Sequence, residues 1–429
     1  MKKKHLAHTK KEQSLKQPQS LPHLLNGTLT ELRGAHKWKN LFAAVDISGI
    51  VFFRILFGFI MLVEVLRYFK NDWIRKYWID PDFLFNYWPF NFLSALPGNG
   101  MYLLFFLLGV TSVFIMLGLF YRVSIFVFFT FFTYTFLLEQ TRYLNHFYLV
   151  VLISFIMLFI PANRAHSLDS RLFKNTAAET VPAWCLWLLR FTIALPYFFG
   201  GIAKINSDWL QGEPLRMWLS NRTHVPVIGP LLQYEWMIYF MVYSGLLLDL
   251  LVVPALLISR TRKWAFIIIS LFHLLNTQLF SIGIFPWFMI AATSIYFDPG
   301  WFRKLKNGFN GNKWPLLVTE KILPPQTLQL RHKTILALLF FWVGVQVILP
   351  VRHFFIPGSV HWTEQGHLYA WHMKLRSKRG KGEYRAKDKI TGQEYKINPL
   401  DYLMPNQISK VNRDPYLIWQ FCQLIKKDF

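Results

Sequence analysis

Stretches of about 20 mostly apolar residues, each long enough to cross a bilayer as a helix, recur along this 429-residue chain and leave it few ways to fold. Candidate segments lie at 47–69, 101–120, 122–138, 144–161, 183–204, 231–258, 264–281, 283–297 and 334–350. In hydrocarbon a spanning segment must satisfy its own backbone N–H and C=O groups, so such a chain becomes a helical bundle. The composition agrees: 53% of the residues are hydrophobic, 18% aromatic and only 16% charged, which excludes a soluble globular domain and a disordered chain. The expected fold is an all-α polytopic membrane bundle of about nine transmembrane helices with a small C-terminal α+β extramembrane domain. The boundary at Ser281–Gly283 is the least defined, since the two segments flanking it could form one long or re-entrant unit.

Charge sets the expected orientation. With Lys2, Lys3, Lys4, Lys10 and Lys11 in the cytoplasm, nine crossings also place Arg164, Arg171 and Lys174, then Arg260, Arg262 and Lys263, then Arg303, Lys304 and Lys306 there, as the positive-inside rule asks. Eight crossings fit less well. The formal net charge of +24 then reads as a topology signal and an attraction for anionic lipid head groups. Nucleic acid is not an expected partner, because the basic residues are spread over several loops. Residues 1–45 read as a basic cytoplasmic arm without the apolar core of a secretory signal, 46–350 as the membrane domain, and 351–429 as an exoplasmic strand-and-helix domain. Cys185 and Cys422 fall on opposite sides and should not pair; no CxxC is present.

In the last of these parts Trp371, Met373 and Leu375 alternate with His372, Lys374 and Arg376, which is strand periodicity. A second strand pattern spans Tyr384 to Ile397 around the turn signal Thr391-Gly392. Asp414-Pro415 then reads as an N-cap and first helical residue, with Leu417, Phe421, Leu424 and Ile425 as the apolar stripe. So small a unit buries little alone and is expected to dock on the bundle.

Polar side chains inside the apolar segments mark candidate chemistry, because they are expensive in hydrocarbon unless they face a bundle interior, a ligand or a wet cavity. The seventh segment carries His273, Asn276, Thr277 and Gln278, the first three on one helix face. Hydrogen bonds that merely join neighbouring helices are the competing explanation. Lys204 ends the fifth segment beside Gly200 and Gly201, behind Tyr197, Phe198 and Phe199. A lysine at a helix end commonly snorkels to the interface; one held in a dry place can act as a neutral amine base. His146, with Asn145 beside it, opens the fourth segment on the same expected side as Lys204. No spacing on one helix supports a metal site.

The blocks NHFYL, FGGIAKINSDWLQG, FHLLNTQLFSIGIFPW and LYAWHMKLRS occur in the order that resembles vitamin K-dependent gamma-glutamyl carboxylases and their bacterial relatives with the horizontally transferred transmembrane (HTTM) domain. The likeness runs from about residue 45 to the end. It implies reduced vitamin K or a menaquinol as the quinol, O2 and CO2 as co-substrates, no metal, and a glutamyl peptide or protein as acceptor. It places the family's membrane-embedded base at Lys204 and its active-site Asn-His pair at Asn145 and His146, with His273, Asn276 and Gln278 nearby. In that mechanism lysine deprotonates the hydroquinone, which reacts with O2 to give an alkoxide strong enough to remove the glutamate γ-proton before CO2 adds. A water-excluding site suits so strong a base. Trp371, Arg376 and Lys378 are candidates for an acidic substrate. The animal enzymes continue past the position of Phe429 into a propeptide-binding portion, so the resemblance implies a bacterial inner-membrane homologue with a smaller glutamyl substrate. The alternative reading is a non-catalytic HTTM protein or transporter that binds a lipid or quinone; no internal repeat of the transporter kind stands out.

Reporter fusions after residues 262 and 429 are expected on opposite sides of the membrane, cytoplasmic and exoplasmic. Finding both on one side would defeat the nine-crossing topology.

Overall fold

The computed structural model describes residues 36–226, 228–280, 282–310, 324–325 and 327–428. Most of the expected basic arm, including Lys2, Lys3, Lys4, Lys10 and Lys11, lies outside them, as does Ser281. Among the described residues the chain runs nine times between the two ends of a helical bundle, as α1 (Ser48–Lys70), α2 (Gly100–Leu117), α3 (Tyr121–Leu138), α4 (Asn145–Met157), α5 (Ala183–Ala203), α6 (Glu235–Leu257), α7 (Arg262–Leu279), α8 (Phe285–Thr293) and α9 (Leu330–Val351). Six of these, α1, α2, α3, α5, α6 and α9, are long and apolar enough to cross a membrane. The protein is a multi-pass helical membrane bundle.

The three remaining helices depart from that standard for separable reasons. α7 has the length but carries Arg262, Lys263, His273, Asn276 and Gln278. α4 and α8 are short, which leaves carbonyls at their ends that need donors where water is scarce. Buried arginines supply them. Arg54, fully buried in α1, donates to Ala162 O (3.0 Å) and His166 O (2.7 Å) below α4. Arg190 of α5 donates to Ile295 O and Phe297 O, each at 3.0 Å, just past α8. α7 and α8 are separate helices, parted by a turn in which Gly283 takes φ +61°, a conformation that favours glycine.

Contacts sort the connections into two ends. Arg262–Asp298, Arg303–Asp46 and Arg303–Glu179 ion pairs, and Lys306 at 3.3 Å from His166, gather the basic loops at one end. The same end holds a short antiparallel pair, β1 (Ala44–Asp46) against β2 (Thr180–Pro182), with Val45 opposite Val181. Large apolar side chains cover the outside of the bundle, including Phe341 (71% exposed) and Ile348 (64%) on α9 and Trp264 (69%) on α7. Such a surface belongs in lipid rather than water.

The C-terminal residues sit at the other end. β3 (Tyr384–Lys387) pairs antiparallel with β4 (Glu394–Ile397) across a turn with Gly392 at φ +72°. Two helices follow, α10 (Pro405–Val411) and α11 (Pro415–Ile425). The Asp414 side chain accepts from the N–H groups of Tyr416 and Leu417 and so starts α11, whose Leu417, Phe421 and Ile425 are buried. Phe85, from the loop after α1, completes this small core. Gln407 donates to Phe83 O (2.8 Å) and to Glu139 at the end of α3 (3.0 Å), fastening the unit to the bundle. Cys185 is buried, Cys422 exposed, and both are free.

One expected strand is absent. Residues 371–376 are irregular, because Tyr369, Trp371 and Lys374 have φ of +62°, +60° and +52°, which no strand accommodates. Their alternation has another cause: Trp371 anchors in the main core and Leu375 in a second cluster with Trp209 and Leu279.

Glu139 links the small unit to the membrane helices and generates a pH test. Burial pushes its carboxyl up to about 7 from an ordinary 4.5, against the pull of hydrogen bonds from Thr141, Gln407 and the Phe85 N–H. The folded state therefore holds a proton that the unfolded state has lost between those values. The associated stability is complete below pH 4.5 and disappears as pH rises through about 7, a loss of up to roughly 3 kcal/mol. Glu139→Gln stays neutral, so its thermal unfolding temperature in detergent should change less between pH 4.5 and pH 8 than that of the native protein; an unchanged pH slope would count against this origin.

Candidate functional site

At the end opposite the basic loops, a cavity of about 560 Å³ opens between α1, α4, α5, α6, α7 and α8. That size lies in the range of small-molecule sites. Trp73, Phe147, Phe272, Phe280 and Phe285 give it aromatic walls. Lys204, Asn145, His146, His273 and Asn276 all line it.

Lys204 follows the last residue of α5 yet is only 7% exposed, so it does not reach out to an interface. Its amine forms an ion pair with Asp249 of α6, itself 6% exposed, lies 3.3 Å from Gly200 O, and sits 5.3 Å from the centre of the Trp209 ring. The two glycines explain how a carboxylate from the next helix arrives there. A Cβ on Gly201 would stand 2.7 Å from Leu250 Cδ2, and one on Gly200 would stand 3.5 Å from Asp249 Oδ2. Without side chains at these positions, α6 packs directly on the end of α5.

His273 is 2% exposed, its Nε2 is 2.8 Å from the Tyr197 hydroxyl, and its Nδ1 is buried with no hydrogen-bond partner among the described residues. Phe285 stands between two imidazoles, with ring centres 5.5 Å from His146 and 6.1 Å from His273. Neither the His146 ring nor the Asn276 amide makes a hydrogen bond to another described residue. Asn145 is differently used: its amide donates to His372 O (3.0 Å) and its oxygen accepts from the Tyr143 hydroxyl (2.9 Å), which in turn accepts from Tyr369 N (2.7 Å). These bonds hold the left-handed strap of residues 369–374 against the bundle. Strained backbone of this kind costs about 1–3 kcal/mol per residue and persists only where its surroundings impose it.

Four expected site residues lie elsewhere. Gln278 is exposed on the outer side of α7. Trp371 is 1% exposed and packed 5.2 Å from the Tyr148 ring, beneath the strap. Arg376 and Lys378 share Glu364 as counter-ion and line a separate polar cleft of about 430 Å³. That cleft shares Tyr143, His367, His372 and Lys374 with the main cavity. His372 is 6% exposed and both its ring nitrogens lack partners among the described residues. Burial, then the neighbouring His353, His361, Arg376 and Arg352, hold it down to about 3, so its imidazole is neutral. Sequence reasoning missed Asp249, Tyr197, His372 and a second intramembrane pair, Glu64–Arg67, on the cavity wall. A carboxylate deep in the apolar run of α6, well past Glu235 at its start, was the signal for Asp249.

Unpartnered polar atoms of His273, His146 and Asn276 on a wall of aromatic rings fit a flat, oxygen-bearing ring such as a quinol, which stacks on the walls and hydrogen-bonds at its edges. Among the described residues no three His, Cys, Asp or Glu side chains are arranged to hold a metal ion.

Fold and site together define a polytopic membrane protein with a charged pair set in an aromatic cavity. A family model described as HTTM domain matches residues 42–301, and one described as vitamin K-dependent gamma-carboxylase, lumenal domain, matches residues 331–429. The chain belongs to the vitamin K-dependent gamma-carboxylase family. No solved structure matches it.

The ion pair has a measurable signature. Asp249→Asn leaves a buried ammonium without its counter-ion, a change worth about 3–5 kcal/mol, whereas replacing both partners with apolar residues is often close to neutral. Asp249→Asn should therefore lower the unfolding temperature more than the double variant Lys204→Met, Asp249→Leu. The reverse order would show that the two side chains are not an energetic pair.

Proposed function

We propose that this protein is a membrane γ-glutamyl carboxylase that couples oxidation of a quinol by O2 to addition of CO2 at a glutamate γ-carbon, with the basic end of the bundle cytoplasmic and the cavity toward the exoplasmic side. The observation that carries this reading is the Lys204–Asp249 pair in the wall of a cavity where His273 Nδ1, the His146 ring and the Asn276 amide have no hydrogen-bond partner among the described residues. The γ-carbon of glutamate is too weak an acid for any side-chain base near neutral pH. A reduced vitamin K or menaquinol, converted to its epoxide by O2, supplies the stronger base and the driving force.

The chain's own groups have distinct tasks in this scheme. Phe285, Phe272 and Phe147 stack on the ring and exclude water, while His273 Nδ1, the His146 ring and the Asn276 amide meet its oxygens. The Lys204–Asp249 pair carries one transferable proton and no net charge. As ammonium and carboxylate it is stable when wet; when an apolar ligand dries the cavity, desolvation favours the uncharged tautomer, amine with carboxylic acid. Asp249 thus lets Lys204 become a base without release of a proton to bulk water. Neutral His146 stabilises negative charge as it develops on the ring oxygen. Asn145, engaged with Tyr143 and His372 O, positions the strap rather than facing the ligand.

The test is incubation of the solubilised protein with reduced vitamin K, O2, labelled bicarbonate and a short glutamate peptide, with epoxide and label followed separately. Lys204→Ala should reduce both to background, and a small exogenous amine should restore part of the epoxide. Native rates of epoxide formation by folded Lys204→Ala would overturn the role of Lys204. Retention of quinone by the native protein without epoxide would make it a binding protein instead.

A further inference from the structure

His273 of α7 and Tyr197 of α5 both line the aromatic cavity and are joined by one hydrogen bond, 2.8 Å between the phenol oxygen and Nε2. Neither side chain has a second hydrogen bond or an ion pair among the described residues: the hydroxyl meets only the ring, and Nδ1 is buried without a partner. Tyr197 is 3% exposed, as closed to water as the imidazole it meets. The other rings around that imidazole are Phe272, at 5.6 Å between centres, and Phe285, at 6.1 Å. An imidazole so enclosed and without a carboxylate partner is neutral, so it has one N–H and one lone pair. Which nitrogen holds the proton is set by the bond that the other one makes.

The buried phenol decides between the two tautomers. If Nε2 held the proton and donated to the phenol oxygen, the Tyr197 O–H and the Nδ1 lone pair would both be left without partners. If the phenol donates to Nε2, only Nδ1–H is left over. Each buried polar group without a partner is destabilising, so the arrangement with one orphan is preferred to that with two. It also sets the stronger acid, a phenol O–H, against the stronger base, an imidazole nitrogen.

We propose that Tyr197 is the positioning residue for His273: its hydroxyl donates to Nε2, fixes the ring as the neutral tautomer with its proton on Nδ1, and so makes His273 a hydrogen-bond donor to an acceptor oxygen of the ring bound in the cavity. Resting on the function proposed above, this assigns the tautomer a chemical reason. A quinol oxygen that gives its proton to Lys204 must not receive another from the opposite wall. An imidazolium is a stronger acid than a phenol and would return one. A neutral imidazole N–H is a far weaker acid, so it stabilises negative charge on that oxygen and keeps its own proton. Tyr197 occupies the one basic nitrogen of the ring and thereby holds His273 in the form that donates without protonating.

The experiment reads tautomer and binding apart from turnover. Nitrogen-15 spectra of the histidine-labelled, detergent-solubilised full chain distinguish protonated from unprotonated ring nitrogens, and the His273 signals are assigned by their loss in His273→Asn. The native ring should hold its proton on Nδ1 near neutral pH, and Tyr197→Phe should release it to Nε2 or to a mixture. Oxidised vitamin K, which cannot turn over, should bind Tyr197→Phe roughly two- to tenfold more weakly than the native chain, the range of one hydrogen bond. In His273→Asn the amide N–H stands near the Nδ1 position whatever residue 197 is, so adding Tyr197→Phe should weaken binding less than it does beside the native histidine. A native proton on Nε2, or an equal loss from Tyr197→Phe in both backgrounds, would overturn the positioning role. Should Tyr197→Phe not fold, the native spectrum still decides the tautomer, and equal binding of the quinone by His273→Asn and His273→Leu would overturn the donor. Epoxide formation is measured in parallel: Nδ1–H in a native protein that neither retains quinone nor forms epoxide would sink the proposed function and leave the Tyr197–His273 assignment standing, whereas epoxide formation with the proton on Nε2 would do the opposite.

Discussion

Where water is scarce, a charge must be answered by protein, and most of what is particular to this structure follows from that constraint. Arg54 and Arg190 meet carbonyls that short helices leave free. Lys204 and Glu64 meet opposite charges from Asp249 and Arg67. Each solution fixes the position of a helix end. Together they allow three elements that deviate from an ideal span, α4, α7 and α8, to persist, and those three carry His146, His273, Asn276 and Phe285. The deviations from ideal membrane helices and the polar lining of the cavity are the same residues seen from two sides.

The strap across the cavity obeys a related logic. Tyr369, Trp371 and Lys374 adopt left-handed backbone that costs energy, and the bundle supplies the restraint through Tyr143, Asn145 and the buried Trp371 ring. This couples the small C-terminal unit to the first turn of α4. A shift of α4 would move His146 and the strap together, because Asn145 is bonded to one and adjacent to the other.

Much of this could be read from residues alone, and the limits have physical causes. The apolar runs gave the bundle, Gly392 the hairpin turn and Asp414-Pro415 the last helix, because each signal is local. The grouping of Lys204, His146 and His273 at one end followed from counting crossings. Asp249 was legible but passed over: a carboxylate deep in the run of α6 demands a partner, and Lys204 stood close to two glycines that admit one. The strap could not be read correctly, since alternation in 371–376 arises from anchoring in two separate cores rather than from a pleated face. Arg376 and Lys378 looked free for a substrate because nothing in their neighbourhood of sequence reveals that Glu364 folds back onto them.

Tyr143, His367, His372 and Lys374 are a single wall with an aromatic cavity on one face and a cation-rich cleft on the other. Under the proposed carboxylation this wall would be, in the language of synthetic chemistry, a phase-transfer boundary. A reagent that dissolves only in oil and one that dissolves only in water can be held a residue's thickness apart, each in its own medium, and neither has to be dragged through the other's solvent to react.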